Sequence, residues 1–132
     1  MNNIIGLIPS RLGSKRLPGK ALADLGGLPV IVHVAKRAAL SSLLDRVIVC
    51  TDSQDILDTC RTFDIEVVLT SGEFKNGTER IASVADGYNF DYAIDIQGDE
   101  PLVDPKHIDI VAKTLSLNLR NEEILIPTLN VP

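Results

Sequence analysis

Residues 4–22 read IIGLIPSRLGSKRLPGKAL, and the change of character inside this stretch decides the fold class. Ile4 to Ile8 is a short apolar run, too short for a helix and stopped by Pro9, which is the pattern of a strand buried on both faces. Pro9 to Leu22 is then a long loop, with Gly13 and Gly19 and the cations Arg11, Lys15, Arg16 and Lys20. Outward along the chain, apolar runs bounded by turn residues recur at Val47 to Cys50, Val67 to Leu69, Ala93 to Ile96 and Ile124 to Ile126. Between them apolar residues recur at helical spacing. Pro29 to Ser42 places Val30, Val34, Ala35, Ala38 and Leu43 near one face, and Ser53 to Phe63, Thr78 to Tyr88 and Pro105 to Leu119 behave alike. Strands alternating with helices predict an α/β fold, a mainly parallel sheet with helices on both faces. Asp52 or Ser53 is the expected N-cap of the second helix, and Pro105 suits the first turn of the fourth.

Composition narrows the function classes. The chain has 132 residues, the size of a single domain, with 45% apolar and 23% charged residues, ordinary globular usage. Aromatics are 4% with no Trp, so there is no set of rings for stacking bases, and a net charge of −5 also argues against a nucleic-acid partner. Cys50 and Cys60 are too few for a disulfide framework and lack zinc-site spacing. Leu25 to Ala35, the longest uncharged apolar stretch, is broken by Gly and Pro and too short to span a bilayer, so neither a membrane partner nor a signal peptide is expected and the compartment is read as cytoplasmic. The charge is uneven. Residues 1–20 hold four bases and no acid, whereas the other 112 hold nine bases and eighteen acids. A cationic loop on an anionic body suits a small polyanion.

In open α/β sheets ligands bind beyond the carboxyl ends of the strands. Three segments are expected there. The first is the basic loop, opened by Pro9, whose Gly13 lets backbone approach a phosphate and whose cations neutralise it. It is no Walker A loop, since five residues separate Gly13 from Gly19-Lys20 and Ala21 stands in the Ser/Thr place, and no dinucleotide fingerprint occurs. The second is Gln97-Gly98-Asp99-Glu100-Pro101, which suits a carboxylate aimed at a hard cation such as Mg²⁺, or else an acidic turn with Asp99 capping the next helix. The third is Asn76-Gly77-Thr78-Glu79-Arg80, opening a helix. His33 and His107 lie far from any Ser or Cys nucleophile signature, so covalent catalysis has no support.

Taken together, PSRLGSKRLPGKAL, the TDS at 51–53, the NGTERIA at 76–82 and the DIQGDEPLV at 95–103 resemble, in order and spacing, the N-terminal half of the CMP-KDO synthetases (3-deoxy-manno-octulosonate cytidylyltransferases). The resemblance covers essentially the whole chain. It implies a Rossmann-like fold of the nucleotide-diphospho-sugar transferase type, here incomplete, with residues 1–132 as the nucleotide-binding half. It implies the reaction of CTP with KDO to CMP-KDO and pyrophosphate, with Mg²⁺, for lipopolysaccharide biosynthesis. The partners would be CTP and an anionic 8- or 9-carbon sugar acid, and a full-length form would be a homodimer.

By the same resemblance Arg11, Ser14 and Lys20 match CTP-phosphate contacts, with Arg16 in the same loop toward the sugar. Gly77, Thr78 and Arg80 match the stretch near the nucleoside, Gln97 and Gly98 match residues around the sugar and ribose, and Asp99 matches a metal-binding aspartate. Arg11, Lys20 and Asp99 are then the residues stabilising the transferring phosphoryl group. Gly13-Ser14-Lys15 leans toward the CMP-sialic acid type, so a nonulosonic acid synthetase is the alternative, and a non-catalytic nucleotide-binding fragment is another. By the resemblance the family continues for about as long again, and its later half supplies the dimer interface, much of the sugar pocket and a second metal-binding aspartate, so the 132 residues alone are expected to be inactive.

Overall fold

The structure is a computed structural model, and it describes residues 3–11, 20–70, 84, 87–97 and 104–117. The central element is β1 (Ile4–Ser10), a run whose odd and even residues are both buried. It is followed by a single 3-10 turn at Lys20–Leu22, and then by a two-stranded hairpin of β2 (Asp24–Leu25) and β3 (Leu28–Pro29). The order continues with α1 (Val30–Ala38), β4 (Arg46–Thr51), α2 (Gln54–Thr62), β5 (Val67–Leu69), β6 (Tyr92–Asp95) and α3 (Pro105–Leu117).

Four strands form one parallel sheet in the order β5-β4-β1-β6. The four apolar runs from Ile4, Val47, Val67 and Ala93 are therefore its strands, each within a residue or two of the expected bounds. The fifth run, Ile124 to Ile126, lies outside the described residues, as does the helix expected over Thr78 to Tyr88 except for Val84, which is helical, and the turn at Gly87 and Tyr88.

Alternation along the strands builds two cores. Ile4, Ile8, Val49, Ile94 and Ile96 meet α1, α2 and α3 on one face of the sheet, through Ile31, Val34, Ile56, Cys60, Ile108 and Ala112. Ile5, Leu7, Ile48, Cys50 and Ala93 face the other way, against Val84 with Tyr88 and Phe90. The two cysteines are buried in different cores, and burial pushes the Cys60 thiol up to about 11, the condition of an inert packing residue.

The caps follow local chemistry. Ser53 is the N-cap of α2, its Oγ accepting from the Ile56 N–H at 3.3 Å. At the start of α3 it is Asp104 whose Oδ1 accepts from the Lys106 N–H at 2.9 Å, so the helix that Pro105 opens does not need Asp99 as its cap.

Two local features depart from the sequence expectation. Leu-Gly-Gly-Leu at 25–28 is a hairpin, with Gly26 and Gly27 at φ +63° and +95°, the left-handed backbone that a two-residue primed turn needs at both positions. And α1 ends at Ala38, so the helical period does not carry to Leu43, which is 40% exposed instead of joining the buried face. The loop after α1 is held from a distance. Asp109 on α3 accepts from the Ser41 hydroxyl, from the Ser42 N–H at 3.0 Å and hydroxyl at 3.1 Å, and from the Leu43 N–H at 3.4 Å.

Burial by itself would raise the Asp109 pKa, but these hydroxyl and N–H donors outweigh it and hold the carboxyl below its ordinary value. A carboxyl depressed in the folded state adds stability that is present above its unfolded pKa of about 4 and is lost as pH falls through the lower folded value. Asp109→Asn points an amide at these donors and is expected to cost about 2 kcal/mol at pH 7 by urea unfolding, with the gap to wild type closing as pH drops below about 4. A gap that stays constant down to pH 2 would show that charge at Asp109 is not what holds the loop.

Candidate nucleotide site at the carboxyl edge of the sheet

Because β1 is central, its carboxyl end lies between those of β4 and β6. Pro9 pairs with Cys50 and Ser10 with Thr51, so Arg11 leaves β1 just beyond the end of β4. On the other side Leu7 pairs with Asp95, the Ile96 N–H donates to the Leu7 carbonyl at 2.9 Å, and Gln97 follows. The sheet thus brings Pro9, Arg11 and Gln97 to one edge from sequence positions far apart. Pro9 and Gln97 are half-buried and Arg11 is exposed, which leaves its guanidinium available to an anion.

The 3-10 turn that carries Lys20 is anchored by Ala21, buried in the larger core, and by Leu22, packed against it. The turn packs against α1 and α2, helices that begin on the carboxyl side of the sheet. The backbone of Lys20 is therefore on the same edge as Arg11. Of the other residues read as site candidates, Gly13, Ser14, Arg16, Gly77, Thr78, Arg80, Gly98 and Asp99 lie outside the described residues.

Hydroxyl groups line the edge where sequence reasoning places cations and glycines. Ser10 and Thr51 sit side by side on adjacent strands at 7% and 0% exposure, and Thr70 is buried one residue beyond β5. Thr51 organises the turn into α2: its Oγ1 accepts from the Ser53 N–H at 3.1 Å, and its carbonyl accepts from the Thr70 N–H at 2.7 Å. Asp95 is the residue whose environment is least visible in the sequence. It stands inside the apolar run AIDI yet is a carboxylate with 1% exposure, on the face shared with Ala93 and one residue pair before Gln97. An acid in an otherwise apolar strand is the signal that would have singled it out.

Beside the exposed Arg11 guanidinium, the described edge carries the Ser10, Thr51 and Thr70 hydroxyls, groups of the kind that bind phosphate and ribose. Among the described residues no group of three or more His, Cys, Asp or Glu could hold a metal. A groove of about 380 Å³ lies at the opposite, amino-terminal end of the strands, lined by Lys36, Leu44, Arg46, Phe63 and Glu66 among others, and is separate from this edge.

The family model for cytidylyltransferases matches residues 5–126. The chain belongs to this family. Among individual relatives, the 3-deoxy-manno-octulosonate cytidylyltransferase of Polynucleobacter necessarius is 46% identical over 129 residues, covering 96% of this chain and 49% of the relative. That of Chlorobium limicola is 48% identical over 110 residues, covering 83% and 44%. Among solved structures, that of CMP:2-keto-3-deoxy-manno-octonic acid synthetase complexed with CTP matches with a TM-score of 0.85 at 32% identity, covering 88% of this chain and 48% of that one. The chain spans about half the length of the curated relatives it matches. These likenesses bear out the α/β, Rossmann-like reading and the resemblance to the CMP-KDO synthetases. No helix among the described residues is long and apolar enough to cross a membrane.

Proposed function

We propose that this chain is the nucleotide-binding part of a CTP-dependent cytidylyltransferase that activates KDO to CMP-KDO with release of pyrophosphate, a step toward lipopolysaccharide. The observation that carries the reading is the convergence of Pro9, Arg11, the Lys20 turn and Gln97 at one carboxyl edge, in a chain that matches a synthetase solved with CTP. In the reaction the C2 hydroxyl of the sugar acid attacks the α-phosphorus, a new P–O bond forms, and the bond to the β-phosphate oxygen breaks. No group on the protein needs to become covalently attached. Arg11 and Lys20 stabilise charge growing on the α-phosphoryl oxygens and on the departing pyrophosphate, and Ser14 in the same loop adds a hydroxyl donor. Gly77, Thr78 and Arg80 hold the nucleoside, Gln97 and Gly98 face the ribose and sugar, and Arg16 attracts the sugar carboxylate.

By the resemblance, Mg²⁺ would be held by Asp99 together with phosphate oxygens of the nucleotide, as this cation commonly is. When bound it would neutralise phosphate charge. A homodimer and a cytoplasmic location for the full-length form belong to the same proposal.

Titration calorimetry tests it. In the presence of Mg²⁺ the chain is expected to bind CTP at least roughly tenfold more tightly than ATP or GTP, the discrimination expected where a site pairs the polar edge of one base and leaves it unpaired with another. Equal binding of all three, or no binding, overturns the reading. In a coupled pyrophosphate assay with CTP, Mg²⁺ and KDO the chain on its own is expected to stay at background, because small misplacements of reacting groups cost about a hundredfold and about half the length of its relatives is not represented in it.

A further inference from the structure

The β2–β3 hairpin is held by very little of its own. Each strand is two residues long, it pairs with no strand of the main sheet, and Asp24, Leu25, Gly26 and Gly27 are all exposed. Such a hairpin is not stable alone in water. Two hydrogen bonds tie it to α1. The Val30 N–H, at the first residue of the helix, donates to the Ala23 carbonyl at 3.0 Å, and Nε2 of His33, one turn further on, donates to the Leu25 carbonyl. His33 is half-buried, and a ring nitrogen facing a carbonyl must carry the proton there.

We propose that His33 is a positioning residue for Lys20. The segment from Ala21 to Leu25 is fixed at four points: the buried Ala21 methyl, the Leu22 side chain packed against the core, the Ala23 carbonyl and the Leu25 carbonyl. Lys20 is the residue immediately upstream of them, at the first position of the 3-10 turn. His33 thereby sets the direction in which the chain arrives at Lys20 from the hairpin side, while β1 sets Arg11 from the other. Leu28 packs against the core on the β3 side, but Asp24 and Leu25 of β2 are exposed and pair only with β3, so neither burial nor pairing with the main sheet would replace the His33 contact there. The inference rests on the reading of Lys20 as a phosphate contact, and its test separates the two.

The test uses the full 132-residue chain with His33→Ala, His33→Gln, Lys20→Ala and the His33→Ala/Lys20→Ala double variant, with CTP and Mg²⁺ as probe. His33→Gln keeps an amide N–H donor at similar reach. Hydrogen exchange of the 20–30 segment is expected to speed up in His33→Ala and to return toward wild type in His33→Gln, with the urea midpoint measured for each to confirm folding. CTP affinity is expected to fall about fivefold in His33→Ala, the effect of one ordinary hydrogen bond, and to be largely restored in His33→Gln. In the Lys20→Ala background His33→Ala is expected to change nothing further, because its effect passes through Lys20. Unchanged exchange in His33→Ala overturns the inference whatever the nucleotide does. So does an equal loss of affinity in both backgrounds, which would make His33 a general stability residue. Faster exchange with a Lys20→Ala variant that binds CTP like wild type would overturn the phosphate reading of Lys20, and the positioning role would fall with it.

Discussion

Arg11→Ala is expected to weaken CTP binding by roughly ten- to a hundredfold, the range that follows from losing a charge-assisted hydrogen bond of about 1.5–3 kcal/mol. The guanidinium stands one residue beyond the Ser10–Thr51 pair, where β1 leaves the sheet, so its base is fixed by the parallel pairing of β1 with both neighbours. Its side chain is exposed. Arg11→Lys keeps the charge but not the planar fork, and is expected to fall between wild type and Ala. Both losses should shrink as salt is raised, since an exposed contact of this kind is screened over about 10 Å at 0.1 M. Calorimetric titrations at two ionic strengths check it. Wild-type affinity in Arg11→Ala would remove Arg11 from the phosphate site.

Gly6→Val is expected to be the most damaging single substitution to the fold, with a loss of about 3 kcal/mol or more. Gly6 lies in the middle of β1 on the face covered by the three helices, and a Cβ added there would meet Ile96 Cδ1 at 2.8 Å and Leu44 Cδ1 at 3.0 Å. The absence of a side chain is what lets Ile96, fully buried, fold over the strand. Gly6→Ala forces only the ends of two side chains to move and should cost about 1 kcal/mol, whereas the branched Val adds two more carbons to a closed corner. Ile96→Val removes the atom nearest the new Cβ. In the Gly6→Ala background it is therefore expected to cost less than in wild type, a coupling that urea unfolding of the four proteins would measure. Strict additivity would mean that the strand shifts instead of the side chain. Since Ile96 immediately precedes Gln97, such a shift would also be felt at the nucleotide edge.

Much of the fold is legible in the sequence because it is encoded locally. An apolar run of four or five residues stopped by Pro9 or by Thr51-Asp52-Ser53 cannot be an amphipathic helix, and a Ser two residues past a strand with an apolar helical pattern behind it is a cap wherever the chain lies. The family is legible for a similar reason: the four motifs keep their order and spacing. The hairpin at Leu25 to Leu28 was also there to be read, as two glycines between apolar residues, but the same residues pass for a broken apolar stretch when only length and hydropathy are weighed.

What only the tertiary structure decides is who stands next to whom. Nothing local tells that β1 is central, and it is that order, β5-β4-β1-β6, which brings Arg11 and Gln97 to a single edge. Asp109 reads as one more polar position on a helix until the fold sets it against Ser41 and Ser42, nearly seventy residues earlier. Leu43 fits a helical period that ends before reaching it, and Asp95 sits in a strand pattern that conceals a buried carboxylate. His33 has no partner within the periodicity of α1; its partner is the carbonyl of a turn that forms only because two glycines reverse the chain. Period and capping depend on residues within a turn or two and are written in the sequence, whereas pairing, burial of a charge and long-range hydrogen bonds depend on which surfaces meet, and that is settled by packing the whole chain at once.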